Sequence, residues 1–209
     1  MANSNHLNRI QEGVYWWNNW RRENPSIYPD LSEADLSNMN LDNVNFSRCN
    51  LNKINLCHTT LIGANLDRAE IQESKLYGAE LVEASLGKAD LKGAKLGSAN
   101  LFRTVLYGSN LENAELFRAK LNFTNIEKAN LSGAYFVDAD LSNAYLPFTI
   151  SRGTKFGRAN LFRARLYEAD LTWAEFDESN MKKANLTGAK LRNTSFYRAN
   201  LEQANLSEC

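Results

Sequence analysis

Histidine, cysteine and unbalanced charge are in short supply in this sequence, and each shortage closes off a class of function. Only His6 and His58 are present, so no histidine-based triad or histidine-rich metal site can be assembled. Cys49, Cys57 and Cys209 have no spacing that reads as a metal or disulfide framework, which suits a reducing, intracellular setting. Lys and Arg number 24, against 24 Asp and Glu. Residues 1–29 hold three of the basic and two of the acidic groups, leaving 21 against 22 beyond them. No net field therefore draws nucleic acid or an anionic membrane. No apolar run reaches membrane-spanning length, and Met-Ala-Asn-Ser-Asn has no signal-peptide core, so a cytoplasmic protein is expected. The glycines are spread along the chain rather than gathered in a phosphate loop. Catalysis, cofactors, metals and small-molecule substrates are not expected.

What the sequence has in abundance is a period of five. From Leu31 to Leu206 every fifth residue is large and apolar, with one exception: 27 Leu, five Phe, two Ile, Met181 and Ser151. Two residues before each comes a small residue, from Ala34 to Ala204, where Met39, Val44, Cys49 and Ile54 are the departures. Such a period fits neither a helix nor a plain alternating strand; it marks a repeat architecture. In Ala-Asn-Leu-Phe-Arg, residues 99–103, the Ala and Leu share one face of an extended segment and point inward. The last two residues must turn a corner. Gly63, Gly78, Gly93, Gly108, Gly133, Gly153 and Gly188, with Asn38, Asn43, Asn113, Asn143 and Asn193, collect at the second corner position, where a type II turn needs a positive φ.

Short sides joined by tight corners make coils that must stack to bury their inward faces. Phe136, Phe156, Phe176 and Phe196 recur at intervals of 20. With four units per turn they align as an internal ladder; three or five would scatter them. The expected fold is an all-β solenoid of nine square, 20-residue coils over residues 30–209, about 43 Å long at roughly 4.8 Å per layer.

These units, with Leu36, Leu66, Leu91, Leu101, Leu131, Leu141, Leu161, Leu171, Leu186, Leu201 and Leu206 at their centres, resemble the Ala-Asp/Asn-Leu-x-x pattern of the pentapeptide-repeat family. The resemblance implies a right-handed quadrilateral β-helix. Its better-understood members resemble duplex DNA and bind type II topoisomerases. Mimicry of that kind needs a dense negative surface, because duplex DNA carries one charge per about 1.7 Å. Near-balanced charge favours instead a scaffold for an unidentified protein partner, with the topoisomerase modulator as the alternative.

Residues 1–29 read differently. Leu7, Ile10, Val14 and Trp17 follow helical spacing, Trp16 and Trp20 form an i,i+4 pair, Ser4 or Asn5 can cap, and Gly13 weakens the middle. Asn24-Pro25 ends the helix. It is expected to cover the open end of the solenoid, with partner binding as the other reading. Trp17-Asn18-Asn19-Trp20-Arg21 is similar to openings that precede pentapeptide repeats in cyanobacterial proteins.

Three further expectations concern the repeats. Phe102-Arg103 with Tyr107 recurs as Phe162-Arg163 with Tyr167, and Phe117-Arg118 repeats the aromatic–Arg corner elsewhere. These types are enriched at binding hot spots, while the plain reading is cover for neighbouring coils. Pro147-Phe148-Thr149-Ile150-Ser151 puts Ser in a Leu position, which predicts a local bulge or changed turn at 147–155 with Ile150 partly replacing the lost core group. Met39, Val44, Cys49 and Ile54 predict a wider coil near the helix. At the other end, Leu191, Phe196, Leu201 and Leu206 predict an uncovered layer suited to a C-terminal homodimer.

Overall fold

The computed structural model describes residues 1–209. Helices α1 (Ser4–Gln11) and α2 (Val14–Glu23) precede an unbroken series of corners and single-residue parallel bridges. Every bridge joins a residue to the one 20 positions on, from Asp30↔Asn50 to Asn185↔Asn205, so four pentapeptides make a turn. The sides are named here by their first bridging residues: Asp30 begins the first, Asp35 the second, Asn40 the third and Asn45 the fourth.

Hydrogen bonding explains the unit's composition. Each pentapeptide has five N–H groups to satisfy. In residues 50–54, Asn50 N–H donates to the Pro29 carbonyl at 2.8 Å, back to the preceding coil. Leu51 and Lys53 N–H donate forward to Glu70 and Gln72 at 2.7 and 2.8 Å, and Ile54 closes the turn onto Leu51 at 3.1 Å. The fifth, of Asn52, is accepted by Asn50 Oδ1 at 3.1 Å. The same local bond recurs at Asp30, Asn65, Asn100, Asn125 and Asn160. Asparagine can also donate from Nδ2 to the coil before, as Asn110 does to Asp90 at 2.9 Å and Asn180 to Asn160 at 3.0 Å. The preference for Asn or Asp between the two inward residues thus has a hydrogen-bonding cause, although residues such as Val105, Tyr135 and Ile150 also occupy the position.

All 36 second-corner residues, 29 of them not glycine, have φ between 54° and 67°. The glycine and asparagine preference is therefore only part of the picture: His58, Phe123 and Trp173 hold the same left-handed conformation. That costs roughly 1–2 kcal/mol for a residue with a Cβ. The corner N–H recovers it through the neighbouring coil, as His58 does to Tyr77 at 2.9 Å.

Inside, Phe136, Phe156, Phe176 and Phe196 stack at centroid distances of 5.1, 4.7 and 5.3 Å, within 13° of parallel. Threonines in the small series stay buried by donating their hydroxyls to backbone, as Thr104 to Leu81 at 2.7 Å and Thr154 to Leu131 at 2.7 Å. The expected bulge at 147–155 is absent. Ser151 points inward, 1% exposed, while Ile150 lies 48% exposed and bridges Asn130 and Asp170 in normal register. Pro147 is buried and Phe148 takes the usual left-handed corner, φ 57°. A slip of one residue would turn every later side chain to the wrong face, so the ladder holds register against the weak core residue. Ser151 donates to Thr149 Oγ1 at 3.0 Å, which donates to the Leu146 carbonyl at 3.0 Å. The disturbance is confined to the turns: Thr149 N–H makes no turn bond to Leu146, and the turn bond from Thr154 N–H to Ser151 is lengthened to 3.4 Å.

The N-terminal segment is two helices, because Gly13 adopts φ 112°, a conformation that ends α1. Asn3, rather than Ser4 or Asn5, caps α1, accepting from Asn5 and His6 N–H at 3.0 and 3.3 Å. Ile10 and Trp17 are fully buried in the common core; Leu7, Val14 and Trp20 pack against it. Trp17 lies edge-on to Phe46 at 5.6 Å. Trp16 is not part of the cover: it is 58% exposed and touches Tyr15, because Trp17 pairs with Trp20 instead.

The helices also satisfy exposed backbone of the first coil. Asn3 N–H donates to the Asp30 carbonyl at 3.0 Å and Asp30 N–H to His6 Nδ1 at 3.1 Å. Asn45 N–H donates to Asn18 Oδ1, and its carbonyl accepts from Trp17 Nε1, both at 2.8 Å. Arg21, 6% exposed, donates to the carbonyls of Ile27 and Ser47 at 2.8 and 2.7 Å. Asp35 and Asn40 receive no such bonds, so α1 and α2 complete the first and fourth sides and leave the second and third open.

Trp17→Ala should cost about 3–5 kcal/mol of stability in urea unfolding, and Trp16→Ala less than about 0.5. Equal losses would contradict this division of labour. Ser151→Leu should raise stability by about 0.5–2 kcal/mol, as filling a core vacancy does; a loss would mean that neighbouring coils have already closed on the serine.

Candidate interaction face

The square section sorts surface residues by their number modulo 20. Phe102, Arg103, Phe162 and Arg163 fall on the corner before the fourth side, and Tyr107 and Tyr167 on the corner after it. Both copies of the aromatic–Arg–Tyr set therefore occupy one face, three coils or about 14 Å apart. Phe117 and Arg118 lie on the corner between the second and third sides and do not join them. The Phe117 ring covers Gly97, leaving no room there for a side chain, and approaches Tyr77 at 6.2 Å. For Phe117 the plain reading, cover for a neighbouring coil, describes the geometry.

On the fourth face the rings are linked. Phe102 meets Phe123 edge-on at 5.9 Å, with the Arg103 guanidinium 5.0 Å above the Phe102 ring. Arg103 is held outward by Glu83 at 3.4 Å. Arg163 repeats the arrangement over Phe162 at 5.1 Å. On the far corner, the Lys128 ammonium sits between the rings of Tyr107 and Phe148, 5.5 and 6.0 Å from their centroids, and pairs with Glu127 at 3.2 Å. These partners, Glu127 first and Tyr107 next, hold the Lys128 pKa above its ordinary value. Tyr167 packs edge-on to Phe148 at 5.5 Å and shares a 2.6 Å hydroxyl contact with Tyr145.

Between the corners lies a groove of about 630 Å³. Phe123 and Tyr145 form its apolar side, Arg163, Arg165 and Lys183 its cationic side, and Asn143 and Asn185 supply amides. Phe123 and Lys183 share the second-corner position of Arg103 and Arg163 without the aromatic–Arg pairing, and Tyr145 and Arg165 are bridging residues, so none of the four carries the repeated motif. Steps of 20 from Arg103 and Arg163 reach Phe123 and Lys183, and the bridging residues between those corners are Tyr145 and Arg165. No cluster of three His, Cys, Asp or Glu side chains that could hold a metal forms anywhere in the chain. No helix is long and apolar enough to cross a membrane.

A family model described as pentapeptide repeats matches the chain in eight copies, over residues 30–53, 49–87, 84–122, 114–147, 152–182 and 169–208. Comparison with curated proteins finds no match. Among solved structures, the chain is similar to HetL, a pentapeptide repeat protein involved in heterocyst differentiation regulation from the cyanobacterium Nostoc sp. strain PCC 7120. That likeness is 28% identity over 89% of this chain and 92% of HetL, with a TM-score of 0.47. It is also similar to a trypsin-treated form of QnrB1, a plasmid-mediated fluoroquinolone resistance protein. There the identity is 15% over 82% of this chain and 89% of QnrB1, with a TM-score of 0.61, a likeness of fold. A third is the pentapeptide repeat protein Rfr23 from the cyanobacterium Cyanothece 51142, 24% identical over 62% of this chain and 92% of that one, TM-score 0.32.

The hydrogen bond to Tyr167 raises the Tyr145 pKa above its usual 10.0, with burial adding to the effect. A folded-state pKa raised in this way gives stability that is present below the unfolded value and is lost as pH climbs through the folded one. Tyr167→Phe should therefore return one phenol to ionisation near the ordinary value, followed by phenolate absorbance against pH. An unchanged titration would show that the two hydroxyls are not coupled.

Proposed function

We propose that this chain, which belongs to the pentapeptide-repeat family, is a non-enzymatic scaffold that presents its fourth face to a protein partner. The family's fold is a right-handed quadrilateral β-helix, and 36 corners at four to a turn support a count of nine coils. The observation that carries the reading is the placement of both aromatic–Arg–Tyr sets on one face of a hydrogen-bonded rod. Rigid aromatic and arginine side chains at fixed spacing are what a binding surface requires, since little ordering entropy remains to be lost on association. The grooves along the rod are open and shallow, without the enclosure that catalysis needs to exclude water. Three free cysteines suit a reducing, cytoplasmic setting.

The alternative, a DNA-like modulator of a type II topoisomerase, calls for a continuous acidic surface. Here the balance of 24 positive and 24 negative side chains and the cationic fourth face work against it. A contact between two copies through Leu191, Phe196, Leu201 and Leu206 belongs to the scaffold reading as an assembly option, open to light scattering under reducing conditions.

The test is quantitative cross-linking in extract of the source cell, comparing the wild-type chain with Phe102→Ala/Phe162→Ala. Both substituted residues are half-buried corner groups outside the core, so circular dichroism should be unchanged. A protein species enriched at least tenfold by the wild-type chain and lost with the double variant supports the proposal. Equal recovery with both would remove the fourth face from the interaction, and inhibition of gyrase supercoiling by the purified chain would favour the alternative.

A further inference from the structure

The charges on this balanced chain are not mixed evenly. Along the fourth face from residue 103 to 205, the bridging residues are Val105, Asn125, Tyr145, Arg165, Asn185 and Asn205. The corner residues beside them are Arg103, Phe123, Asn143, Arg163, Lys183 and Gln203. These two columns contain four cations and no carboxylate. Arg103 has Glu83 as its partner, but Arg163, Arg165 and Lys183 form no ion pair and no side-chain hydrogen bond, and all three are exposed. On other sides several facing charges are matched between coils, as in Arg152–Asp170 at 2.7 Å, Arg158–Asp138 at 2.7 Å and Lys182–Glu202 at 2.8 Å, although Glu70 faces Asp90 and Lys75 faces Lys95. The fourth face differs in gathering three unpaired cations around one groove.

Coils stack about 4.8 Å apart, so Arg163 and Lys183 stand on adjacent rungs with like charges directly opposed, an arrangement that destabilises a sheet. A bound anion would relieve that repulsion. The rest of the groove narrows the choice of anion. Phe123 and Tyr145 offer apolar surface, and the amides of Asn143 and Asn185 match peptide groups. The two guanidinium forks fit carboxylates in bidentate geometry. Nucleic acid is the poorer match: affinity for a phosphate backbone grows with the number of phosphates neutralised, and three unpaired cations supply few.

We infer that the groove between Phe123 and Lys183 is the docking site for an acidic, extended peptide segment of the partner protein, its carboxylates on Arg163, Arg165 and Lys183 and an apolar side chain on Phe123 and Tyr145. This rests on the scaffold reading above and specifies the chemistry of what the fourth face receives.

The test is fluorescence anisotropy with the full chain and a fluorescein-labelled ten-residue peptide of alternating glutamate and glycine. Its glutamine counterpart and a twenty-nucleotide single strand of deoxythymidine serve as competitors. The triple variant Arg163→Glu/Arg165→Glu/Lys183→Glu is compared with Lys95→Glu/Lys190→Glu/Arg192→Glu, which makes the same change in net charge on other sides. Both should fold, since glutamate already stands at corners such as Glu83 and Glu168 and at bridging positions such as Glu80 and Glu175. Saturable binding of the acidic peptide, weakened at least tenfold by the first variant and less than threefold by the second, supports the site. Absence of saturable binding, equal loss in both variants, or displacement by the DNA strand in preference to the peptide overturns it. A failure here with the cross-linked species still lost in Phe102→Ala/Phe162→Ala would discard the acidic-segment assignment alone. Failure of both experiments would discard the scaffold reading as well.

Discussion

The parallel pairing of each residue with the one 20 positions on is what the rest of the structure depends on. It fixes the coil as a square, sends three of every five N–H groups to neighbouring coils, and places the remaining two in the turn. Side-chain choices follow from that allocation. An inward pair must be apolar or self-satisfying, the residue between them does best with an acceptor for the corner N–H, and the second corner residue must accept a left-handed backbone. The same allocation explains why a poor core residue such as Ser151 is carried without loss of register. Breaking register would forfeit several coil-to-coil hydrogen bonds, each worth about 0.5–1.5 kcal/mol, to gain one better-placed apolar group.

Much of this was legible from spacing. The period of five, the inward series and the phenylalanine ladder lead directly to four units per turn, because each depends on a repeated pattern rather than on any single contact. What escaped depends on local competition. Gly13 reads as a weak point in one helix but ends it, since two helices can each reach a different side of the first coil. Trp16 shares helical spacing with Trp20, yet Trp17 takes the buried place because the aromatic edge of Phe46 lies below it. Ile150 appears one residue early for the core and stays outside, held by the pairing of its backbone.

The interaction face was half visible. Repetition of Phe-Arg with Tyr at an interval of 60 is a sequence signal, and 60 is a whole number of turns, so both copies share a side. Phe123, Tyr145, Arg165 and Lys183 carry no local motif; they become neighbours only when the chain is wound at 20 residues per turn. Phe117-Arg118 shows the opposite failure. As a dipeptide it matches the others, but winding carries it to a different corner, where its ring shields Gly97.

Winding also limits how such a chain can change length. Inserting one pentapeptide would keep every inward side chain inward and every corner a corner, yet it would turn all later residues through a quarter of a circle. The two halves of the fourth face would then look in different directions. Adding or removing 20 residues would only slide them apart along the axis. The core tolerates steps of five, whereas a surface built from several coils tolerates only steps of 20. Length variation among chains that share this face should therefore come in whole turns, even though the fold itself is indifferent to quarter turns.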